Sequence, residues 1–239
     1  MKIDIHAHVL PGIDDGAKDW DACMRMLMQS AACGVEHIIA TPHCVPWEKG
    51  ASVETIQKLC KQAEMQLKEI HGTEIHIYPG HEVYYNVEVL QKLQQGGALT
   101  LAGTRYVLVE FKPSAPYQEL LRAAREFGDA GYIPIYAHVE RYRCLTDMDK
   151  VHSLKRLGVL FQMNIEGFQG GLFDKMSKRA RTYLKHGVID FLASDMHSAR
   201  WDSMMTGENL QWLQKRLTPK YRQELLCDNA MKILAEAKR

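Results

Sequence analysis

Lys2-Ile3-Asp4-Ile5-His6-Ala7-His8 starts as a short β-type run and ends in two histidines two positions apart. Side chains alternate across a strand, so His6 and His8 point to the same side and can reach one metal ion together. The same pattern recurs along the chain. β-type runs at 3–5, 36–40, 74–78, 106–111, 133–137, 159–163 and 189–193 alternate with amphipathic segments, about every 30 residues. One such segment starts at Ser52, a capping residue, and carries Val53, Ile56, Cys60, Ala63, Leu67 and Ile70 on a single stripe. Two last helices, at about 204–217 and 219–237, have no strand after them and are expected to pack as a closing pair within one domain spanning 1–239.

Strand and helix in alternation predict an α/β fold with a parallel sheet, and seven strands favour a barrel over an open sheet. The runs also end alike. Asp4, His6, His8 and Asp14-Asp15 follow the first, His43 the second, and His81-Glu82 the third. Glu110 ends the fourth, His138-Val139-Glu140-Arg141 the fifth, and Asp195-Met196-His197 the seventh. In a parallel barrel these C-terminal strand ends converge in one bowl. Any one H-x-H or D-x-H pair would be weak evidence, but six in phase with the strand ends point to a metal site. Glu110 sits on an apolar run, where a carboxylate is costly without a cation. Imidazoles and carboxylates without thiolate suit Mn²⁺, Fe²⁺ or Zn²⁺, and the many oxygen donors lean toward Mn²⁺. His37, His71, His152 and His186 fall in strand or helix patterns and read as packing or surface residues, as does Cys44.

The 239 residues carry Lys+Arg 30 against Asp+Glu 29, and a net charge of +1 gives no footprint for nucleic acid. No run of about 18 apolar residues offers a membrane span. A first strand that begins at once leaves no room for a signal peptide, and six cysteines without a C-x-x-C pair fit reduced thiols, so a cytoplasmic protein is expected.

Asp4-Ile5-His6-Ala7-His8-Val9-Leu10-Pro11-Gly12-Ile13-Asp14-Asp15-Gly16-Ala17, with Ile39-Ala40-Thr41-Pro42-His43, resembles the polymerase and histidinol phosphatase (PHP) superfamily. Within it the chain is most similar to the bacterial manganese-dependent tyrosine-protein phosphatases of capsule and exopolysaccharide operons. Pro79-Gly80-His81-Glu82-Val83, Ala137-His138-Val139-Glu140-Arg141 and Ala193-Ser194-Asp195-Met196-His197 extend the likeness over about residues 1–200. The resemblance implies a distorted (β/α)7 TIM-like barrel with three metal ions at the C-terminal strand ends. His6, His8, Glu82 and Asp195 would hold one, Glu82, Glu110 and His138 a second, and Asp14, His43 and His197 the third. Arg141 and Arg200 match phosphate-binding positions. Val139 stands where the family usually has proline, His81 where it usually has glutamine, and 164–167 departs from the family pattern.

The implied activity is hydrolysis of phosphotyrosine by a metal-bridged hydroxide, with a phosphotyrosyl protein, a bacterial tyrosine autokinase, as partner. The runner-up is a PHP phosphoesterase for a small molecule such as histidinol phosphate. Two further readings are a regulator that has lost catalysis, whose missing ligands are not seen, and a metal-dependent amidohydrolase. The cysteine route to phosphotyrosine is absent, because the residues six after the cysteines are Gln29, Ile39, Gly50, Gln66, Lys150 and Ile233 rather than arginine. Tyr84, Tyr85, Phe111 and Tyr142 are candidates for the walls of a protein-binding mouth, or for ordinary packing.

Overall fold

The computed structural model describes all residues except 48, 172, 200–206 and 238–239, with the side chains of 207 and 208 also outside the description. Among the described residues nine parallel strands form, β1 (Lys2–Ala7), β2 (Val35–Ala40), β3 (His43–Cys44), β4 (His76–Pro79), β5 (Glu82–Tyr84), β6 (Tyr106–Glu110), β7 (Ile133–Tyr136), β8 (Leu160–Asn164) and β9 (Phe191–Ala193). They make two sheets, ordered β1-β2-β4 and β3-β5-β6-β7-β8-β9. The nine occupy seven positions. β2 and β3 are one strand interrupted at Thr41-Pro42, and β4 and β5 one strand interrupted at Gly80-His81. The ladder crosses both breaks, because Gly80 N–H donates to the Ala40 carbonyl (2.9 Å) and Glu82 N–H to that of Pro42 (3.2 Å). At the far edge Asp195 N–H donates to His6 O (2.9 Å) and His8 N–H to Met196 O (3.0 Å), joining the end of β9 to β1. The result is a distorted seven-position parallel barrel.

Interior and exterior separate as alternation requires. Ile3, Ile5, Ile39, Leu108, Ile135 and Phe191 fill the barrel, while Ile38, Val107, Val109, Tyr136 and Phe161 meet the surrounding helices. The helices are α1 (Trp20–Ala32), α2 (Val53–His71), α3 (Val89–Gln94), α4 (Tyr117–Asp129), α5 (Met148–Arg156) and α6 (Lys175–Lys185). Ser52 caps α2 by accepting from Thr55 N–H, and Ile56, Cys60, Ala63 and Leu67 form its buried stripe. Ile70, expected on the same stripe, is exposed.

The C-terminal segments meet where Arg222 Nη1 donates to Leu217 O (2.7 Å) and extend from there over two places. α7 (Gly207–Arg216) lies on the outer layer, with Leu213 buried and Trp212 stacked on Phe168 at 4.5 Å between ring centroids. α8 (Pro219–Gln223), a π-helical turn (Glu224–Asp228) and α9 (Asn229–Ala237) seal the N-terminal end of the barrel. Cys227, Ala230, Ile233 and Leu234 join the barrel interior. Asn229 Nδ2 donates to Asp190 O (2.9 Å) and Tyr221 Oη to Ile189 O (3.0 Å), fixing the plug beside the start of β9. The plug is at the opposite end from the functional strand ends. Ile233→Ala is therefore expected to lower unfolding free energy by about 2–5 kcal/mol without changing metal stoichiometry, as read by urea denaturation and metal analysis.

Candidate metal centre

Each interrupted strand resumes directly at a metal-type side chain, His43 on β3 and Glu82 on β5. Glu82 is 1% exposed and faces four imidazoles. Its carboxylate oxygens lie 3.3 Å from His6 Nε2, 3.4 Å from His8 Nε2, 2.9 Å from His43 Nδ1 and 3.0 Å from His138 Nε2. His138 Nε2 is also 3.4 Å from Glu110, and Asp195 Oδ1 lies 3.2 Å from His6 Nε2. Three sets of donor atoms result, each within 4.8 Å of one another: His6, His8, Glu82 and Asp195; His43, Glu82 and Glu110; and His8, Asp15, His43 and His197. His138 and Asp195 adopt the left-handed backbone region, with φ of 32° and 51°. Such strain in non-glycine residues is held where surrounding contacts over-determine it.

The rings are oriented from behind. His8 Nδ1 pairs with Asp14 Oδ2 (2.7 Å) and His6 Nδ1 with Gln162 Oε1 (3.2 Å), which turns both Nε2 atoms inward. Gln162 Oε1 also accepts from His138 N–H (2.6 Å), and its Nε2 donates to Asn164 Oδ1 (2.9 Å). Asn164 Nδ2 donates to Asp195 Oδ2 (2.7 Å), where Arg141 Nη2 also donates (2.9 Å). β8 thus supplies an amide relay that steadies ligand-type groups on or after three other strands. Outer partners of this kind fix tautomer and direction at metal sites.

The loop after β1 is folded by a close backbone approach. A Cβ on Gly16 would lie 2.0 Å from His8 O, so glycine is required there, and Gly16 N–H donates to Asp14 Oδ1 (3.0 Å). Asp14 is turned toward His8 with both oxygens occupied, so it does not reach the shared space. This corrects its expected place beside His43 and His197. Asp15 stands there instead, 3.3 Å from Nε2 of each. The neighbouring carboxylates were indistinguishable by residue type, and the turn at Gly16 separates them. His6, His8, His43, Glu82, Glu110, His138, Asp195 and His197 converge as their strand-end positions suggest. Arg200 lies outside the described residues.

Above the cluster is a cavity of about 610 Å³ whose wall also contains Arg141, Glu166 and Ser198. Of the aromatic mouth candidates, Tyr85, Phe111 and Tyr142 are buried, and Tyr142 Oη accepts from Phe111 N–H (3.2 Å). Tyr84, on β5 two residues after Glu82, is half-buried and edge-on to Trp47, which is 62% exposed.

The model of the family described as "Capsular polysaccharide synthesis, CpsB/CapC" matches residues 2–235. The chain belongs to the CpsB/CapC family. A member from Streptococcus pneumoniae, tyrosine-protein phosphatase CpsB, is 30% identical over 243 residues covering 98% of each chain. Tyrosine-protein phosphatase YwqE of Bacillus subtilis is 34% identical over 223 residues, covering 89% of this chain and 84% of that one. A solved structure from a study of YwqE and CpsB as "unique metal-dependent tyrosine phosphatases" superposes with a TM-score of 0.83 at 27% identity, covering 93% of this chain and 90% of that one.

The CpsB/CapC donor set of this chain fits divalent cations on its own chemistry. His43 Nδ1 and Glu82 Oε2 are buried and lie 2.9 Å apart, an imidazole nitrogen and a carboxylate oxygen that can share either a proton or a cation. Electrostatics agree. Burial alone would push the His6 imidazole down, but the Glu82 and Asp195 carboxylates outweigh it and raise it to about 10. His43 and His138 likewise overcome burial, through Glu82 with Asp15 and Glu110 respectively, and rise to about 9. Opposing its own burial, Glu82 is held well below the usual carboxylate range, chiefly by the charge of His6. The carboxylates demand positive charge, and protons supply it unless a cation does.

Two outcomes follow. Because the carboxylates raise these imidazoles, cation binding is expected to release protons, and affinity should fall about tenfold or more per pH unit as pH drops from 8 to 6. Calorimetry in buffers of different ionisation enthalpy measures both effects. Asn164→Leu, which removes the donor to Asp195, is expected to weaken cation binding by about 10–100-fold in the same titration.

Proposed function

We propose that this chain is a metal-dependent protein-tyrosine phosphatase, a phosphoric monoester hydrolase that works with Mn²⁺ in the cytoplasm. Its proposed substrate is a phosphotyrosyl protein, a bacterial tyrosine autokinase of capsule or exopolysaccharide synthesis. The observation that carries the reading is the set of three adjoining donor clusters beneath a cavity with Arg141 in its wall. The similarity to CpsB and YwqE supports the same conclusion. One ion would be held by His6, His8, Glu82 and Asp195, a second by Glu82, Glu110 and His138, and a third by Asp15, His43 and His197. Ions bound there supply Lewis acidity and a water made acidic enough to act as nucleophile at neutral pH.

The chain's own residues supply the remainder. Arg141 spends one donor on Asp195 and is 38% exposed at the cavity wall, so other N–H groups of its planar fork remain for two phosphate oxygens. The Asp195 contact fixes the guanidinium plane before substrate arrives, which lowers the ordering cost of binding. The contacting pair Tyr84 and Trp47 offers aromatic surface to a peptide. Tyrosinate, with an ordinary pKa of about 10, leaves without strong general-acid help. Burial pushes the Cys23 and Cys60 thiols up to about 12, and no cysteine has an arginine six positions later, so thiolate chemistry has no place in this reading.

The test is phosphate release by Mn²⁺-loaded protein from phosphotyrosyl peptide, phosphoserine peptide and histidinol phosphate. Preference for phosphotyrosine is expected, abolished by chelation and restored by Mn²⁺. Arg141→Ala should lower kcat/KM by about 10²–10³-fold with metal content retained, and Arg141→Lys should not restore it. Turnover of histidinol phosphate with phosphotyrosine untouched would overturn the substrate assignment and leave the metal centre standing.

A further inference from the structure

Beside the catalytic cavity is a second one of about 360 Å³, and among the described residues His43 is the only side chain common to the two walls. Its other wall residues include His81, Lys49, Lys92, Asp14 and Ser52. His81 directly precedes Glu82 and is 4% exposed. Its Nδ1 accepts a hydrogen bond from Leu99 N–H (2.9 Å). A ring nitrogen that accepts carries no proton, so the neutral imidazole bears its hydrogen on Nε2. No acceptor among the described residues takes that hydrogen. The ring lines the cavity, so a ligand or a water there can accept it.

The surroundings specify the ligand's charge. Lys49 and Lys92 contribute ammonium groups that form no ion pair among the described residues. Ser52, the N-cap of α2, lies at the same wall, but that helix end is already answered by the Glu54 carboxylate and by the Ser52 cap itself. Asp14 is the one carboxylate in this wall among the described residues. Its oxygens are engaged by His8 Nδ1 and by Gly16 N–H, so neither takes the His81 hydrogen. A fixed neutral donor and two ammonium groups without an ion pair among the described residues together favour an anion with several acceptor oxygens.

We propose that this cavity binds an oxyanion, a carboxylate or phosphate group, through His81 Nε2–H, Lys49 and Lys92. The anion has two available sources. An acidic residue flanking the phosphotyrosine would reach it from a peptide lying across the rim, and this source rests on the phosphatase reading. A free anion would occupy it independently of that reading, and both would act next to His43.

The test uses the metal-loaded full chain, Lys49→Ala/Lys92→Ala, His81→Leu and His81→Gln. The last keeps one acceptor for Leu99 and one donor for the cavity. In the first arm, sulfate is titrated at constant ionic strength while thermal unfolding is followed. Sulfate in the catalytic cavity affects all forms alike, so a larger rise for wild type and His81→Gln than for the other two reports the second cavity. In the second arm, kcat/KM is measured on phosphotyrosyl peptides with Glu or Gln neighbours and on p-nitrophenyl phosphate. A loss of about tenfold, carried by KM and confined to the Glu peptide, is expected for the lysine double variant. That result identifies the substrate's own acid as occupant, whereas a sulfate difference with no peptide selectivity identifies a free anion. Equal sulfate responses with equal peptide ratios in every form would overturn the site. If wild type hydrolyses no phosphotyrosine, the phosphatase reading fails, and the sulfate arm still decides the cavity.

Discussion

Glu82 is a buried carboxylate surrounded by four imidazoles, and most of the functional end of the barrel is arranged around that one charge. A carboxylate almost wholly removed from water is unstable without compensation. Here compensation comes from His6 on β1, His8 just after it, His43 on β3 and His138 after β7. These groups come from separate strands, so charge balance at Glu82 ties together a set of strand ends whose sheet hydrogen bonds alone would leave them independent. Protons on the histidines, or divalent cations between them, satisfy the same requirement. That exchange makes the cluster both a stability element and a candidate catalytic centre.

Backbone architecture serves this arrangement. The two interruptions, Thr41-Pro42 and Gly80-His81, come one or two residues before His43 and Glu82, so each strand is re-aimed where its functional side chain begins. Gly80 lies so close to Ile39 and Leu101 that a Cβ would meet them at 3.0 and 3.1 Å, which explains a residue without a side chain at the second break. At the opposite end the C-terminal plug closes the apolar interior. The bowl can therefore be polar and open without exposing the barrel's core to water.

The fold was largely legible because the period of apolar residues is a local property. The seven β-type runs correspond to the seven barrel positions, and the α2 stripe from Ile56 to Leu67 is buried as its spacing suggests. The extra strands β3 and β5 were not separated, since a two-residue or three-residue strand has too few side chains to display a period. Much of the candidate site was legible for a related reason, since acids and histidines at successive strand ends are a sequence pattern. Asp15 was overlooked because Asp14-Asp15 presents two identical side chains. Gln162 and Asn164 were overlooked because amides at a strand end carry no mark of their purpose. Tyr142 and Phe111 looked equally suited to a mouth or a core, and burial put them in the core.

Sequence by itself determined the alternation of strand and helix, the residue types available for a cation, and the absence of a cysteine–arginine phosphate loop. Those features depend on composition and on spacing within a few residues. Tertiary structure decided which carboxylate of an adjacent pair faces the cluster, which strand steadies the ligands, and which end of the barrel the last helices close. Each of those outcomes depends on contacts between residues far apart in the chain. Glu82 shows the difference most directly: its identity is written in one position, and its charge environment is assembled from side chains up to 76 positions away.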